Sequence, residues 1–501
     1  MKATTPSVPR LDLLVLLAAF CGLVAIGWVG FIASDDVTFA RGAYGWIEQF
    51  PYVGGHGTIR YPLTIPMAIS FLTIGHNEVA MALPSLLYML GALAIAWWLV
   101  ANYAGRRAAS LSLILAITCP LFVILASIAN CDMAELFFQM GSIALFLRGL
   151  ERERPARLFF FAGTMAGLGF LTRETSIFIA LFYAPLFLTG YRQKRFNYLW
   201  IAVGFFAIWS IEIIYLWLMT GDPLYRINIS LHHDSTIDRS IDLAGNLIIH
   251  PAIDPLLVLL FNQEFMFLYW IAIPAGIWLI TSRDISRDER AFARLIAWYG
   301  LVIFLASGAA VTLLPLNPRY FAIPTLVACL LLGIAAAKWW ERGRSMLVII
   351  TIAGLLLANG LGIMVENRSS ILGTRTYAQI VAQSDEPVHT DPMTRYRADL
   401  LLKWNGAETR AIAAPPRTNF LYVWNPAFAA EPNPKMNAAI APRYARPEGK
   451  VVKVYRPPLG ILAEALKGLG VEPLLPEKVR HRLTSPHPAV ELIRVAERPS
   501  G

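Results

Sequence analysis

Two aspartates stand side by side where the first long apolar run ends: Asp35 and Asp36, in Ile32-Ala33-Ser34-Asp35-Asp36-Val37. A carboxylate there can take a proton from a hydroxyl, ligate a divalent ion or hold a polar substrate. Acids so close to a hydrocarbon-like span are costly unless they are solvated, paired or used. Adjacent helical residues point about 100° apart, so the two cannot face one ligand equally. Two readings are open. In one, Ser34 caps a helix and both acids complement its dipole. In the other, one aspartate serves a substrate or a metal ion, with Asp35 the candidate, and its neighbour serves the cap.

Arginines form the second group. Arg60, Arg173 and Arg319 each fall at the end of an apolar run. A guanidinium is a planar fork suited to anionic oxygens, although an interfacial Arg can also simply snorkel toward headgroups. Arg173 is followed by Glu174, and a local charged turn would account for both. Asp132, in Asn130-Cys131-Asp132-Met133-Ala134-Glu135, begins another apolar run and can cap that helix, and Glu135 lies one helical step further. His56 sits in the turn-rich Gly54-Gly55-His56-Gly57, close in sequence to Arg60. His232-His233-Asp234 has no regular metal-ligand spacing and reads as a solvated loop. Cys21, Cys119, Cys131 and Cys329 provide neither a disulfide framework nor zinc spacing.

The elements that must position these residues are membrane helices. Of 501 residues, 56% are hydrophobic and 15% charged. A soluble domain would carry nearer about 25% charge, and the mean hydropathy is +0.53. Expected spans cover 11–33, 79–101, 108–126, 133–148, 158–172, 176–190, 197–219, 262–281, 295–314, 320–337 and 345–364. Alternate short segments hold eighteen Lys and Arg, from Lys2 and Arg10 to Lys338, Arg342 and Arg344. The opposite loops hold six: Arg41, Arg60, Arg173, Arg226, Arg239 and Arg319. That asymmetry predicts eleven spans, with a cytoplasmic N-terminus and an extracytoplasmic C-terminus. The net charge of +9 therefore reports topology rather than nucleic-acid binding.

The outer face carries the bulk. A membrane domain, 1–364, has outer loops 34–78 and 220–261. In the first, a helix is expected from Asp35 to about Phe50, then a turn-rich break, then an apolar stretch, 65–74, lying in the interface. Residues 365–501 form a small α/β soluble domain, with strands expected near 387–390, 419–424, 450–455 and 490–495, and a helix at 461–469 stopped by Gly470.

The order of these motifs resembles the GT-C glycosyltransferases that use polyprenyl-phosphate sugars, in particular the branch of the protein O-mannosyltransferases and the lipid A aminoarabinose transferase. The acid pair after the first helix is matched by Asp35-Asp36. A Lys-Pro-Pro-Leu-like segment is matched by Arg60-Tyr61-Pro62-Leu63, with Ile59 where that branch often has an acid. A Gly-Leu-x-x-Leu-Thr-Lys-like segment is matched by Gly167 to Arg173, and an Arg-Tyr opening a late span by Arg319-Tyr320. The resemblance covers roughly 11–340.

It implies an all-α GT-C membrane domain that moves a sugar from a polyprenyl-phosphate donor to a protein, lipid or glycan acceptor, with inversion. Asp35 and Asp36 would be the catalytic pair, and Asp132 would face the catalytic cavity. Arg60, Tyr61, Arg173, Arg319, Tyr320 and His56 would contact substrate. A divalent ion at Asp35 is left open, and no other cofactor is expected. Membrane lipids would surround the chain in a bacterial inner membrane. The alternative, a lipid-sugar flippase or transporter, fits the many spans. It predicts inverted halves or charges at mid-membrane, and the spans read as lacking both.

Overall fold

The computed structural model describes residues 11–232, 249, 250, 252–310, 316–366, 371–411, 418–426, 445–457, 459–477, 480 and 488–497. His233, Asp234, Lys2, Arg10 and Arg239 lie outside them. The chain divides into two units. The first takes the described residues of 11–30 and 39–366; the second takes 31–38 and those from 371 onward.

The described part of the first unit is helical, and every expected span contains a helix. Five of these helices are long and apolar enough to cross a membrane, or six if Arg106–Thr118 and Pro120–Ala126 form one broken span bent by 65°. That break sits at Pro120, which lacks the N–H needed to continue the preceding helix. The expected span 262–281 holds the helix Leu268–Thr281, and a further short helix, Asp254–Phe261, lies in the expected outer loop 220–261. The apolar stretch after Arg60 forms the helix Tyr61–Ile74, with Pro62 in its first turn, where a missing N–H is tolerated.

One helix crossing governs the site below. Gly163 of Ala156–Thr172 and Gly204 of Arg195–Thr220 face each other so closely that a Cβ on either would overlap a carbonyl of the partner helix: that of Ile201 for Gly163, and that of Phe160 for Gly204. Gly167 repeats the approach one turn on, against Phe205 and Ile208. Small residues four apart are the usual means of bringing two apolar helices to backbone contact. The crossing carries Arg173 at the end of one helix and Glu212 within the other.

The second unit holds a four-stranded sheet in the order β1-β2-β4-β3, with β1 Val388–Thr390, β2 Thr418–Trp424, β3 Lys450–Tyr455 and β4 Val490–Glu497. The pair β1/β2 is parallel, while β4 pairs antiparallel with β2 and with β3. Phe420, Tyr422, Ile493 and Val495 form its apolar core, with Trp424 packed against them. The expected strands and the helix Ile461–Gly468 are present; the helices Leu372–Gln383 and Pro392–Trp404 were not expected. Asp391 caps the latter by accepting the Thr394 N–H at 2.8 Å, with Pro392 at the first helical position.

Also in this unit are the two aspartates. Asp35 is exposed and Asp36 is buried. Oδ2 of Asp36 accepts the N–H groups of Ile32 at 2.7 Å and Ala33 at 3.3 Å, and Oδ1 accepts those of Ser34 at 2.6 Å and Val37 at 3.0 Å. This carboxylate ties the start of the helix Asp35–Glu48, a task that one of the two sequence readings gave to Ser34 and the other to an aspartate. Burial pushes the Asp36 carboxyl up to about 6, against those four donors.

Candidate active site

Asp132, Glu135, Arg173, Thr175, Arg319 and Tyr320 line one pocket of the first unit. Asp132 opens the helix Asp132–Gly149 but does not cap it. Asn130 does, its Oδ1 accepting the Met133 N–H at 3.1 Å. Asn130 is itself pinned, its N–H donating to Ser85 Oγ at 3.1 Å. Asp132 is thereby released for the pocket, where its Oδ1 is ion-paired with Arg173 Nη1. Among the described residues, its buried Oδ2 accepts no hydrogen bond. A buried acceptor left open in a polar pocket is available to a ligand hydroxyl.

Arg173 is 7% exposed, too deep for an arginine snorkelling to headgroups. It also reaches Glu135 Oε2 at 3.5 Å. Glu135 is held in place by Thr175 Oγ1 at 3.1 Å and Ser176 Oγ at 2.9 Å, both donating to its Oε1. The Arg173 guanidinium stands over the Tyr320 ring, 4.3 Å from its centroid, and that of Arg319 lies 5.6 Å from the same ring. A desolvated cation gains most from such a ring.

A second charged cluster adjoins it. Arg60 Nη1 donates to the Thr172 carbonyl at 2.6 Å; its Nη2 lies 3.4 Å from Glu174 Oε2 and 3.4 Å from His56 Nε2. Glu174 thus turns to Arg60, and to Arg226 at 2.8 Å, rather than forming a local turn with Arg173. Burial raises the Glu174 carboxyl, but Arg60 and Arg226 outweigh it and hold the group down to about 2. Tyr61 packs edge-on against Trp46 and Tyr215, and burial pushes its hydroxyl above the ordinary tyrosine range.

Residues 62–215 match the dolichyl-phosphate-mannose-protein mannosyltransferase family. ArnT from Cupriavidus metallidurans in its apo state superposes with a TM-score of 0.59 at 12% identity, covering 83% of this chain and 93% of that one. The same protein bound to undecaprenyl phosphate gives 0.57 at 11% identity, over 89% and 97%. The oligosaccharyltransferase of Archaeoglobus fulgidus, in complex with zinc and sulfate, gives 0.54 at 11% identity, over 83% and 69%. No curated protein matches by sequence.

This is the GT-C fold. The likeness read from the sequence motifs holds in three dimensions, and the chain is a multi-pass membrane protein. Within the GT-C unit, Asp132, Arg173, Arg319 and Tyr320 share the pocket, and Arg60 and His56 share the adjoining cluster. Asp35 and Asp36 belong to the second unit.

Three participants were missed by the sequence reading. Glu174 was seen only as a neighbour of Arg173, and Arg226 only as a loop charge. Glu212 corrects the expectation that the spans lack interior charge: it is 3% exposed inside Arg195–Thr220, eight residues before the helix ends. The lone acid in that apolar run was the available signal, because an intramembrane carboxylate implies a partner. The partner is Arg226, whose Nε lies 2.9 Å and 2.8 Å from the two Glu212 oxygens.

For a divalent ion the donor set is poor. Among the described residues, no three His, Cys, Asp or Glu side chains gather as ligands.

Proposed function

We propose that this protein is an inverting glycosyltransferase that moves a sugar from a polyprenyl-phosphate carrier to a hydroxyl-bearing acceptor on the extracytoplasmic face. The observation that carries the reading is the buried Arg173, clamped by Asp132 and Glu135 beside Arg319 and Tyr320, with Asp132 Oδ2 left open. Fixed cations over a small polar pocket suit a phosphate, and an open carboxylate oxygen beside them suits a sugar hydroxyl. The family match over 62–215 and the superposition on an undecaprenyl-phosphate-bound structure support the same donor class.

In the proposed reaction, a carboxylate, the role the family resemblance gives to Asp35, takes the acceptor's hydroxyl proton as the acceptor oxygen bonds to the anomeric carbon. The bond from that carbon to the phosphate oxygen breaks, and its electron pair leaves with the polyprenyl phosphate. The leaving phosphate gains a negative charge, and Arg60, Arg173 and Arg319 stabilise it. One displacement inverts the anomeric centre and needs one base. Asp36, with both oxygens occupied by backbone N–H groups, builds the turn that presents Asp35. His56 and Tyr61 would border the headgroup. Eleven spans, a cytoplasmic N-terminus, a bacterial inner membrane and a soluble domain over 365–501 complete the reading.

The test is Asp35→Asn in the purified full-length protein. Sugar transfer should be lost while undecaprenyl-phosphate binding is kept. Retained transfer, or no binding of that lipid by the unaltered chain, would overturn the proposal.

A further inference from the structure

Arg226 is 2% exposed, and one planar group bonds to four separate places in the first unit. Its Nη2 donates to the Ile59 carbonyl at 2.8 Å and the Leu171 carbonyl at 3.1 Å. Its Nη1 donates to Glu174 Oε1 at 2.8 Å, and its Nε meets both Glu212 oxygens. Ile59 immediately precedes Arg60. Leu171 lies in the last turn of the helix Ala156–Thr172, two residues before Arg173. The backbone leading to two of the three candidate phosphate ligands, Arg60 and Arg173, is thus fixed to the same guanidinium, and Glu212 anchors that guanidinium on a third helix.

We infer that Arg226 is a positioning residue that sets Arg60 and Arg173 at the separation the donor phosphate requires. The inference rests on the proposed function. Two physical effects support it. A buried carbonyl deprived of its donor must find another or move. Removal of Arg226 would also leave Arg60, now 3.4 Å from Glu174 Oε2, as that carboxylate's cationic partner, beside the neutral Ser230 hydroxyl donating to its Oε1 at 3.3 Å. Arg60 would then close on a carboxylate instead of on a phosphate. The competing account is that Arg226 merely neutralises Glu212 so that the chain can fold.

The double variant Arg226→Leu/Glu212→Leu separates the two, because replacing a buried ion pair by apolar side chains is often tolerated, whereas removing one partner is not. Full-length protein would be compared by thermal melting, by undecaprenyl-phosphate binding, and by KM for the donor against kcat. The expected result is preserved melting, binding weaker by about tenfold or more, and a loss expressed mainly in KM. Arg226→Lys keeps the charge but cannot reach all four places, so it should also fold and bind more weakly; it decides the matter if the double variant does not fold. A folded double variant, or Arg226→Lys, that binds like the unaltered protein overturns the inference while leaving the proposed function intact. Failure of the unaltered protein to bind the lipid overturns both.

Discussion

The Arg173 guanidinium lies over the face of Tyr320, 4.3 Å from the ring centroid, while Asp132 takes its Nη1 from the side. The charge is therefore held by a ring and a carboxylate at once, which fixes both its position and its tilt. Tyr320→Phe keeps the ring and should leave donor binding nearly unchanged. Tyr320→Leu removes the π-face and should weaken undecaprenyl-phosphate binding by about 1–2 kcal/mol, the value of a desolvated cation–π contact. Titration of both variants with that lipid checks the ring rather than the hydroxyl.

Asp132→Asn leaves Arg173 with the 3.5 Å contact to Glu135 and the face of the Tyr320 ring. An uncompensated buried charge typically costs about 3–5 kcal/mol, and the remaining contacts place this variant at the lower end. The melting temperature should fall clearly. Adding Arg173→Gln removes the stranded charge, so the double variant should recover more than about 1 kcal/mol relative to additivity. Additive losses in a double-mutant cycle would show that the pair does not act as a unit.

Much of this arrangement was legible in the chain. Apolar run length located a helix in each expected span, because hydrocarbon leaves a backbone few alternatives. Arg173, Arg319 and Asp132 could be placed at span ends by position alone. Their partners could not: that Asn130 caps in place of Asp132, or that Glu174 faces Arg60 instead of Arg173, depends on which way a turn points, and neighbours in sequence do not encode it. Glu212 and Arg226 are fourteen residues apart on different elements, and only the lone acid in an apolar run hinted at a pair. In the tail, Asp391-Pro392 is a readable helix start, but the helix Pro392–Trp404 that follows is short and has no long apolar run to mark it.

Glu174 gives a pH dependence with a definite sign. Arg60 and Arg226 hold its folded carboxyl at about 2, below the ordinary glutamate value near about 4.3. The unfolded chain therefore binds the proton first as the pH falls. The stabilisation is complete above the ordinary value and is lost progressively between there and about 2. Glu174→Gln should reduce the slope of melting temperature against pH across that window. An unchanged slope would mean that the ion pairs contribute nothing to stability.

The Gly163–Gly204 crossing should tolerate no side chain. A methyl group on either glycine meets a carbonyl of the facing helix, which cannot rotate away as a flexible side chain would. The two helices must then separate, carrying Arg173 and Leu171 away from Glu212 and Arg226. Gly163→Ala should therefore lower both the folded yield and the affinity for undecaprenyl phosphate. Gly354, in the helix Ser345–Glu366, is the internal control, because a Cβ there meets nothing within 4 Å. Gly354→Ala should be neutral or gain about 0.5–1 kcal/mol from helix propensity. If both alanines behave alike in melting and binding, close backbone approach is not what holds the arginine cluster together.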